Sequence, residues 1–477
     1  MSLDPARVRG VAADYVFNNL FRSLYRFDSE KGLVPEGATR CDWTTSKKLA
    51  CQLNTNVKWS DGTIVVAEDY VRAFERLFAT SAKSEAVSSL LALAGAKERL
   101  SNPQKKTPLG ITTKGSYELH FQLDSDDKDF LERLTVPVFA PIPKDGIPDI
   151  SDPQKLKTNG PYKIHSWQRE RKITMIPNPH YPFGNPHRPV VEIYVVNDHS
   201  TAHNLYLAGR LDFLRQLATS EIPKYENTRG FFRVPMLRFD YIGFGEGLNQ
   251  NSALRKALSL SLNFEELKTL YHSEGWPGCP GLPESFFTKK PCVKYDSRNA
   301  KNLAQSLADH TKPSLPLPLL YSKVGGEDFR IGMEWMQNQW KKHLNLPIEI
   351  KPIESGMLIY SIKKYKNGLF RKSAPLDRPT CLAAIEIFES NHPENFIGLS
   401  SKTFDQYIEQ LRQTNQPTQR KKLCTEATQL LLDNHHLIPL GEMKYSMLHN
   451  YRFKNFSINS MNQLDLANLQ KVSDSLW

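Results

Sequence analysis

The sequence has no apolar run of the roughly 20 residues that a helical membrane span takes. The stretch at 90–96 breaks well short of that length, which excludes a helical span. It has no CxxC pair and no Cys/His spacing of the zinc-site kind, so a structural metal is not expected. It lacks a GxSxG elbow, an HExxH, a P-loop and a GxGxxG, and zinc-finger, helix-turn-helix and RNP patterns are missing too. No internal repeat is present. The run Gly243-Phe244-Gly245-Glu246-Gly247 follows a strand pattern without dinucleotide spacing and reads as a tight loop. The adjacent histidines His435-His436 fall where a helix pattern gives way to a strand, and read as a turn. Asp124, Asp126, Asp127 and Asp129 follow a strand and read as carboxylates favoured at a helix N-terminus. No catalytic set can be assembled from these parts and no cofactor is called for. What remains is a binding protein.

The chain has 477 residues, enough for about three domains. Hydrophobic residues make up 40% and charged residues 24%, the balance of a chain that forms a core. Lys and Arg exceed Asp and Glu by 62 to 51, a net +11. That charge favours anionic partners, yet it is spread along the whole length. Its densest cluster, Lys363, Lys364, Lys366, Arg371 and Lys372, lies on no nucleic-acid motif, so it reads as solvated surface. Of six cysteines, Cys41 and Cys51 flank a hairpin turn, and Cys279 and Cys292 bracket the loop Pro280-Gly281-Leu282-Pro283. Two local disulfides, which need an oxidising compartment, and free buried thiols are both open readings. Residues 1–5 carry neither a basic n-region nor an apolar h-region. The chain is thus expected either to be cytosolic or to be a mature form whose export signal has been removed.

Periodicity predicts helices over 11–27 (with a short extended piece), 67–78, 130–134, 201–209, 253–262, 404–411 and 420–432. A further helix is marked by Phe329, Met333, Met336, Trp340 and Leu344 on one face. Asn263 with Glu266 has the form of a capping box. Strands are predicted at 117–123, 172–176, 190–196, 239–244, 317–321 and 348–353. Alternation of the two types argues for mixed α/β sheets.

The segment beginning Leu24-Tyr25, then Lys58-Trp59-Ser60-Asp61-Gly62-Thr63 and Ala67-Glu68-Asp69-Tyr70, resembles the most diagnostic stretch of solute-binding protein family 5. These are the oligopeptide- and dipeptide-binding proteins of bacterial ABC importers. The resemblance continues in order through Ser2-Leu3-Asp4-Pro5, Asn159-Gly160-Pro161-Tyr162, Ala208-Gly209-Arg210-Leu211-Asp212, Leu254-Arg255-Lys256-Ala257-Leu258 and Ile438-Pro439-Leu440.

The resemblance implies an α/β fold: a two-lobed periplasmic-binding-protein-like clamp with mixed sheets and an extra inserted domain. Domain I would comprise 1–36, 158–236 and 449–477, domain II the insertion 37–157, and domain III, the second lobe, 237–448. The lobes would close on a peptide or peptide-like ligand, which shifts the open-closed population. Such ligands are held largely through their backbones, like an added strand. By carry-over, Asp240, Tyr241, Ile242 and Gly243 supply one such edge. Arg371, Lys372, Ser373, Ala374, Asp377 and Arg378, within 370–379, supply the other side. The implied partners are the membrane subunits of an ABC importer and no nucleic acid. The protein would act as a monomer, periplasmic or anchored at the cell surface. The alternatives are a cytoplasmic ligand-sensing domain on the same fold, or a binder of a non-peptide solute such as a metal chelate.

The departures from the family pattern carry information. The strand that usually precedes Ser-Leu-Asp-Pro is missing. Pro375 stands where peptide binders carry the aspartate that grips the ligand's α-amino group, and Asp377 follows two residues later. The family's Glu-Gly-Leu is here Arg22-Ser23-Leu24. Loss of a charge-assisted bond of about 1.5–3 kcal/mol, with gain of Arg22 and Arg378, gives the expectation of ligands without a free α-amine or with extra negative charge. The other reading is that both arginines pair locally.

Overall fold

The computed structural model describes residues 4–7, 11–28, 30–79, 84–148, 152–196, 198–270, 278–307 and 313–472. Ser2 and Leu3 of the first family motif lie outside them. The chain divides into two compact units, residues 1–215 with 447–477, and residues 216–446. Among the described residues no helix is long and apolar enough to cross a membrane.

The first unit opens with helix α1 (Val11–Leu20), whose Val16, Phe17 and Leu20 are buried together with Phe21. A hairpin follows, β1 (Ala38–Thr45) and β2 (Lys48–Leu53), with Cys41 directly opposite Cys51 and joined to it. Helix α2 (Ala67–Leu77) buries Tyr70, Ala73, Phe74 and Leu77 at helical spacing. Its N-terminus is held by Asp69. That carboxylate accepts from the Val66 amide and the Trp59 indole, both at 3.1 Å. The family motif around Trp59 is therefore a device for anchoring this helix. Strands β3 (Ile111–Thr113) and β4 (Glu118–Gln122) complete a sheet of order β1-β2-β4-β3. A second sheet runs β5 (Tyr162–Gln168), β6 (Lys172–Pro177) and β7 (Val191–Tyr194), antiparallel throughout.

The Asn-Gly-Pro-Tyr motif joins α1 to β5. A Cβ on Gly160 would lie 2.7 Å from the Leu20 carbonyl carbon, so only glycine allows this approach. The Asn159 side chain then grips the main chain of Arg22 from both ends, accepting from its amide (3.0 Å) and donating to its carbonyl (2.8 Å).

The second unit is built on one five-stranded mixed sheet of β8 (Arg238–Phe244), β9 (Leu317–Ser322), β10 (Ile348–Ile353), β11 (Leu369–Pro375) and β12 (Leu437–Pro439), in the order β10-β9-β11-β8-β12. β9 lies parallel to β10 and β11, while β8 is antiparallel to both β11 and β12. Helices α3 (Ser252–Leu260) and α4 (Gly326–Leu344) bury Leu254, Leu258, Met333, Met336 and Trp340 in one apolar cluster with Ile242, Leu319 and Ile438 of the sheet. Short helix α5 (Cys381–Ile385) and the longer α6 (Lys402–Gln413) and α7 (Pro417–Asp433) follow. The elements predicted for this unit overlap the observed ones, with ends shifted by a few residues, whereas β11 and α5 were not predicted.

All six cysteines are paired. Cys279–Cys292 joins the two ends of the Pro/Gly loop. The third bridge, Cys381–Cys424, links α5 to α7 and was not foreseen. His435 closes α7 in a left-handed turn (φ 50°), and its carbonyl accepts from the Arg255 guanidinium at 3.0 Å.

Candidate functional site

Antiparallel pairing of β8 with β11 sets Asp240 opposite Ser373 and Ile242 opposite Arg371. Residues opposite one another, and residues two apart, share a face of the sheet. Arg238, Asp240, Arg371 and Ser373 are thereby collected on one face. Asp240, 1% exposed, accepts from the Arg238 guanidinium through Oδ1 and from that of Arg371 through Oδ2, both at 2.8 Å. Arg371 donates onward to Ser373 Oγ at 2.9 Å, and its guanidinium carbon sits 3.4 Å from the centre of the Phe329 ring. Arg238 also donates to Ser373 Oγ and to the Tyr445 hydroxyl. Burial alone would push the Asp240 carboxyl up. The two guanidiniums outweigh it and hold the group below the ordinary carboxylate range.

The opposite face carries Phe239, Tyr241 and Gly243 against Phe370, Lys372 and Ala374. Phe239, Tyr241, Phe370 and Phe388 form an edge-to-face aromatic cluster with centroids 5.3–6.2 Å apart. Gly243 is required here, because a Cβ would fall 2.3 Å from the Phe370 ring. The structure thus joins Asp240, Arg371 and Ser373 in one polar cluster. Tyr241, Gly243 and Ala374 go to an aromatic face, where the Lys372 ammonium lies 5.7 Å over Phe396. Ile242 enters the apolar core.

One expectation is corrected. Asp240 to Gly243 do not form an open edge, because β8 is flanked on both sides: Tyr241, Ile242 and Gly243 pair with β11 and also with Pro439, Ile438 and Leu437. β11 is different. β9 runs beside it only at Leu369 and Phe370, and among the described residues no strand lies alongside it beyond Phe370 on that side. The Leu376 amide bonds the Leu237 carbonyl, and the Gly245 amide the Gly368 carbonyl. This phase of the ladder turns the main-chain groups of 370, 372 and 374 toward β8 and those of Ser373 away from it. The Ser373 carbonyl is covered by the Lys372 ammonium at 3.1 Å, a flexible donor that another N–H can replace.

The remaining arginines are already matched. Arg378, fully buried, bonds Asp377 at 2.6 Å and Glu386 at 2.9 Å, so Asp377 is engaged as well. In the first unit Arg22, also buried, bonds Asp465 at 2.6 Å and lies 3.3 Å from Glu36. The Tyr181 hydroxyl donates to the same Glu36. Burial opposes the Arg22 charge, but Asp465 and Glu36 more than compensate and raise it above the ordinary guanidinium range. Burial dominates at Glu36 and raises its carboxyl despite Arg22. Of the two readings of Arg22 and Arg378, these contacts fit local pairing: each guanidinium is matched by carboxylates of its own surroundings.

Sequence reasoning missed Arg238 and Tyr445. The Arg238-x-Asp240 spacing on a predicted strand was the available sign, since residues two apart share a face. Nothing in the sequence pointed to Tyr445, which lies more than 200 residues from Asp240.

A family model described as bacterial extracellular solute-binding proteins, family 5 Middle, matches residues 32–373. The periplasmic murein peptide-binding protein MppA of Escherichia coli K12 is 24% identical over 484 aligned positions, covering 96% of this chain and 89% of that protein. The periplasmic oligopeptide-binding protein OppA of Salmonella typhimurium LT2 is 25% identical, covering 92% of this chain and 84% of that protein. Among solved structures, the Escherichia coli murein tripeptide binding protein MppA superposes with a TM-score of 0.86 at 22% identity, covering 99% of this chain and 96% of that one. A periplasmic oligopeptide-binding protein of Borrelia burgdorferi gives the same TM-score at 20% identity, covering 99% and 97%.

Proposed function

The chain belongs to the bacterial extracellular solute-binding proteins of family 5, and from that premise we propose that it is the extracytoplasmic substrate-binding component of an ABC importer, capturing peptides or peptide-like solutes. The observation that carries this reading is the edge of β11 at Ser373, whose main-chain groups face away from β8 with no strand alongside among the described residues. A peptide laid there would gain ladder hydrogen bonds without any demand on its side chains, which is how one protein takes many sequences. Asp240 does not touch the ligand in this scheme. It neutralises Arg238 and Arg371, and those two arginines fix the hydroxyl of Ser373 and with it the edge. Three disulfides support an oxidising, extracytoplasmic location, periplasmic or at the cell surface. Binding as a monomer, delivery to membrane subunits, and a division into domain I (1–36, 158–236, 449–477), inserted domain II (37–157) and domain III (237–448) complete the proposal.

Because Arg22, Arg378 and Asp377 are all ion-paired internally, neither a free α-amine nor its absence is strongly selected by them. Calorimetric titration with a tripeptide and its N-acetylated form should give dissociation constants within about tenfold of each other, less than one charge-assisted bond. A hundredfold preference for either form would overturn the assignment of these three residues to internal pairs.

A further inference from the structure

In the first unit β7 is the edge strand of the sheet β5-β6-β7, and among the described residues no strand lies on its outer side. The Val195 amide bonds the Arg171 carbonyl at 2.8 Å, and Ile193 stands opposite Ile173. Residues 191, 193 and 195 therefore bond β6, while the main-chain groups of Glu192 and Tyr194 are turned outward. Natural edges are blunted by proline, lysine or a bulge. This one has none of them. Residues 190–196 read Val-Val-Glu-Ile-Tyr-Val-Val, strongly β-forming and with a single charge. Val190, Tyr194 and Val195 are 56%, 42% and 44% exposed, so apolar surface runs along the rim.

The same seven residues point to the occupant. About Ile193 they read alike in both directions, except that Glu192 and Tyr194 change places. A second copy laid antiparallel, with Ile193 on the two-fold axis, sets Glu192 opposite Tyr194 on each side of that axis. These are the residues whose main-chain groups face outward. Each such pair exchanges both ladder bonds, and Ile193 meets its own copy in the non-hydrogen-bonded position between them. Sequence symmetry and ladder phase select the same register, and the contact closes on itself. The side chains agree. Within one chain the Tyr194 hydroxyl donates to Glu192 at 2.9 Å. The Lys172 ammonium bonds Glu192 at 2.6 Å and lies 5.5 Å from the centre of the Tyr194 ring. Across the axis each Glu192 carboxylate meets a tyrosine backed by the other copy's Lys172, and no like charges stand directly opposite.

We propose that β7 is a self-association edge, through which two copies of this chain join their three-stranded sheets into one. Each copy still binds peptide on its own, because β11 belongs to the second unit, so peptide capture and self-association fail separately. The contact is short, which places it among weak, concentration-dependent associations. Sedimentation velocity on the full chain, at concentrations up to about 1 mM, should show a monomer–dimer equilibrium with a dissociation constant of about 10–500 µM. Tyr194→Pro removes the outward N–H of each copy and leaves the bonds of 193 and 195 to β6 intact. It should weaken association at least about tenfold with an unchanged far-ultraviolet circular dichroism spectrum. Ile193→Cys gives an independent reading, since all native cysteines are paired. On the axis the two α-carbons would lie about 4.5 Å apart, within disulfide reach, so mild oxidation should cross-link this variant into dimers. Val190→Cys, at a more exposed position but away from the axis, should stay uncross-linked. Association unchanged by Tyr194→Pro, or cross-linking of Val190→Cys as fast as that of Ile193→Cys, would overturn the proposal. So would a single monomeric mass at every concentration, which would leave the edge to a different partner.

Discussion

Asp240→Ala is expected to lower the unfolding free energy by about 3–5 kcal/mol, the cost of stranding buried charge. Two guanidiniums bond this one carboxylate. Arg371 is 2% exposed in its side chain and Arg238 12%, so neither can turn to water for compensation. Urea denaturation at neutral pH measures the loss. The pairwise nature of the effect has its own signature. Arg371→Leu introduced into the Asp240→Ala background should recover part of the stability, because it removes one of the stranded charges. A loss below about 1 kcal/mol for Asp240→Ala would mean that the cluster is hydrated and does not hold Ser373 rigidly.

Removing the Cys381–Cys424 bridge, as Cys381→Ala with Cys424→Ala, is expected to cost about 4 kcal/mol by the chain-entropy argument, since it closes a loop with a sequence separation of 43. The Cys41–Cys51 bridge, with a separation of 10, should be worth about 3 kcal/mol on the same scale. The difference is small, but the longer bridge ties together two helices, α5 and α7, and Cys424 is fully buried. Denaturant titration of the two double variants gives the comparison. Mass spectrometry of unreduced, unfolded protein checks the premise: six alkylatable thiols would remove the bridges and, with them, the support for an oxidising compartment.

How much of this was legible in the sequence depended on distance along the chain. Cys41 and Cys51 sit on two strands joined by a tight turn, so local reading offers their pairing, beside free thiols, as one of two readings, and the structure shows the pair. Cys381 and Cys424 meet only through packing of α5 against α7, which no local pattern encodes. The strand at Arg238–Phe244 was found, but its place in the sheet was misread as an edge. Six consecutive positions from Phe239 to Phe244 are all buried, but that burial is seen only in the structure, because Asp240 interrupts the apolar pattern by which a central strand is read from sequence. The tetrad around Asp240 was half legible. The register that puts Ser373 and Arg371 on its face comes from a strand more than 120 residues away, and Tyr445 lies further still. The family resemblance marked these segments as important without saying which groups were consumed internally. Arg22 and Arg378 show the limit of that kind of reading. A basic residue in a binding motif suggests an anionic ligand, whereas burial beside Glu36, Asp465, Asp377 and Glu386 turns the same residues into structural pairs.

We propose that a ligand's backbone is held by the main chain of Ser373 on β11. The most direct test is calorimetric titration of a tripeptide against the wild type, Ser373→Ala and Ser373→Pro. The alanine variant keeps the amide N–H and should retain binding within about tenfold, losing only the hydroxyl that the two arginines hold. The proline variant removes the N–H on the side turned away from β8, so the β8–β11 ladder survives. It should bind at least about tenfold more weakly than the alanine variant while keeping its far-ultraviolet circular dichroism. Equal binding by the alanine and proline variants would contradict the account and place the ligand elsewhere.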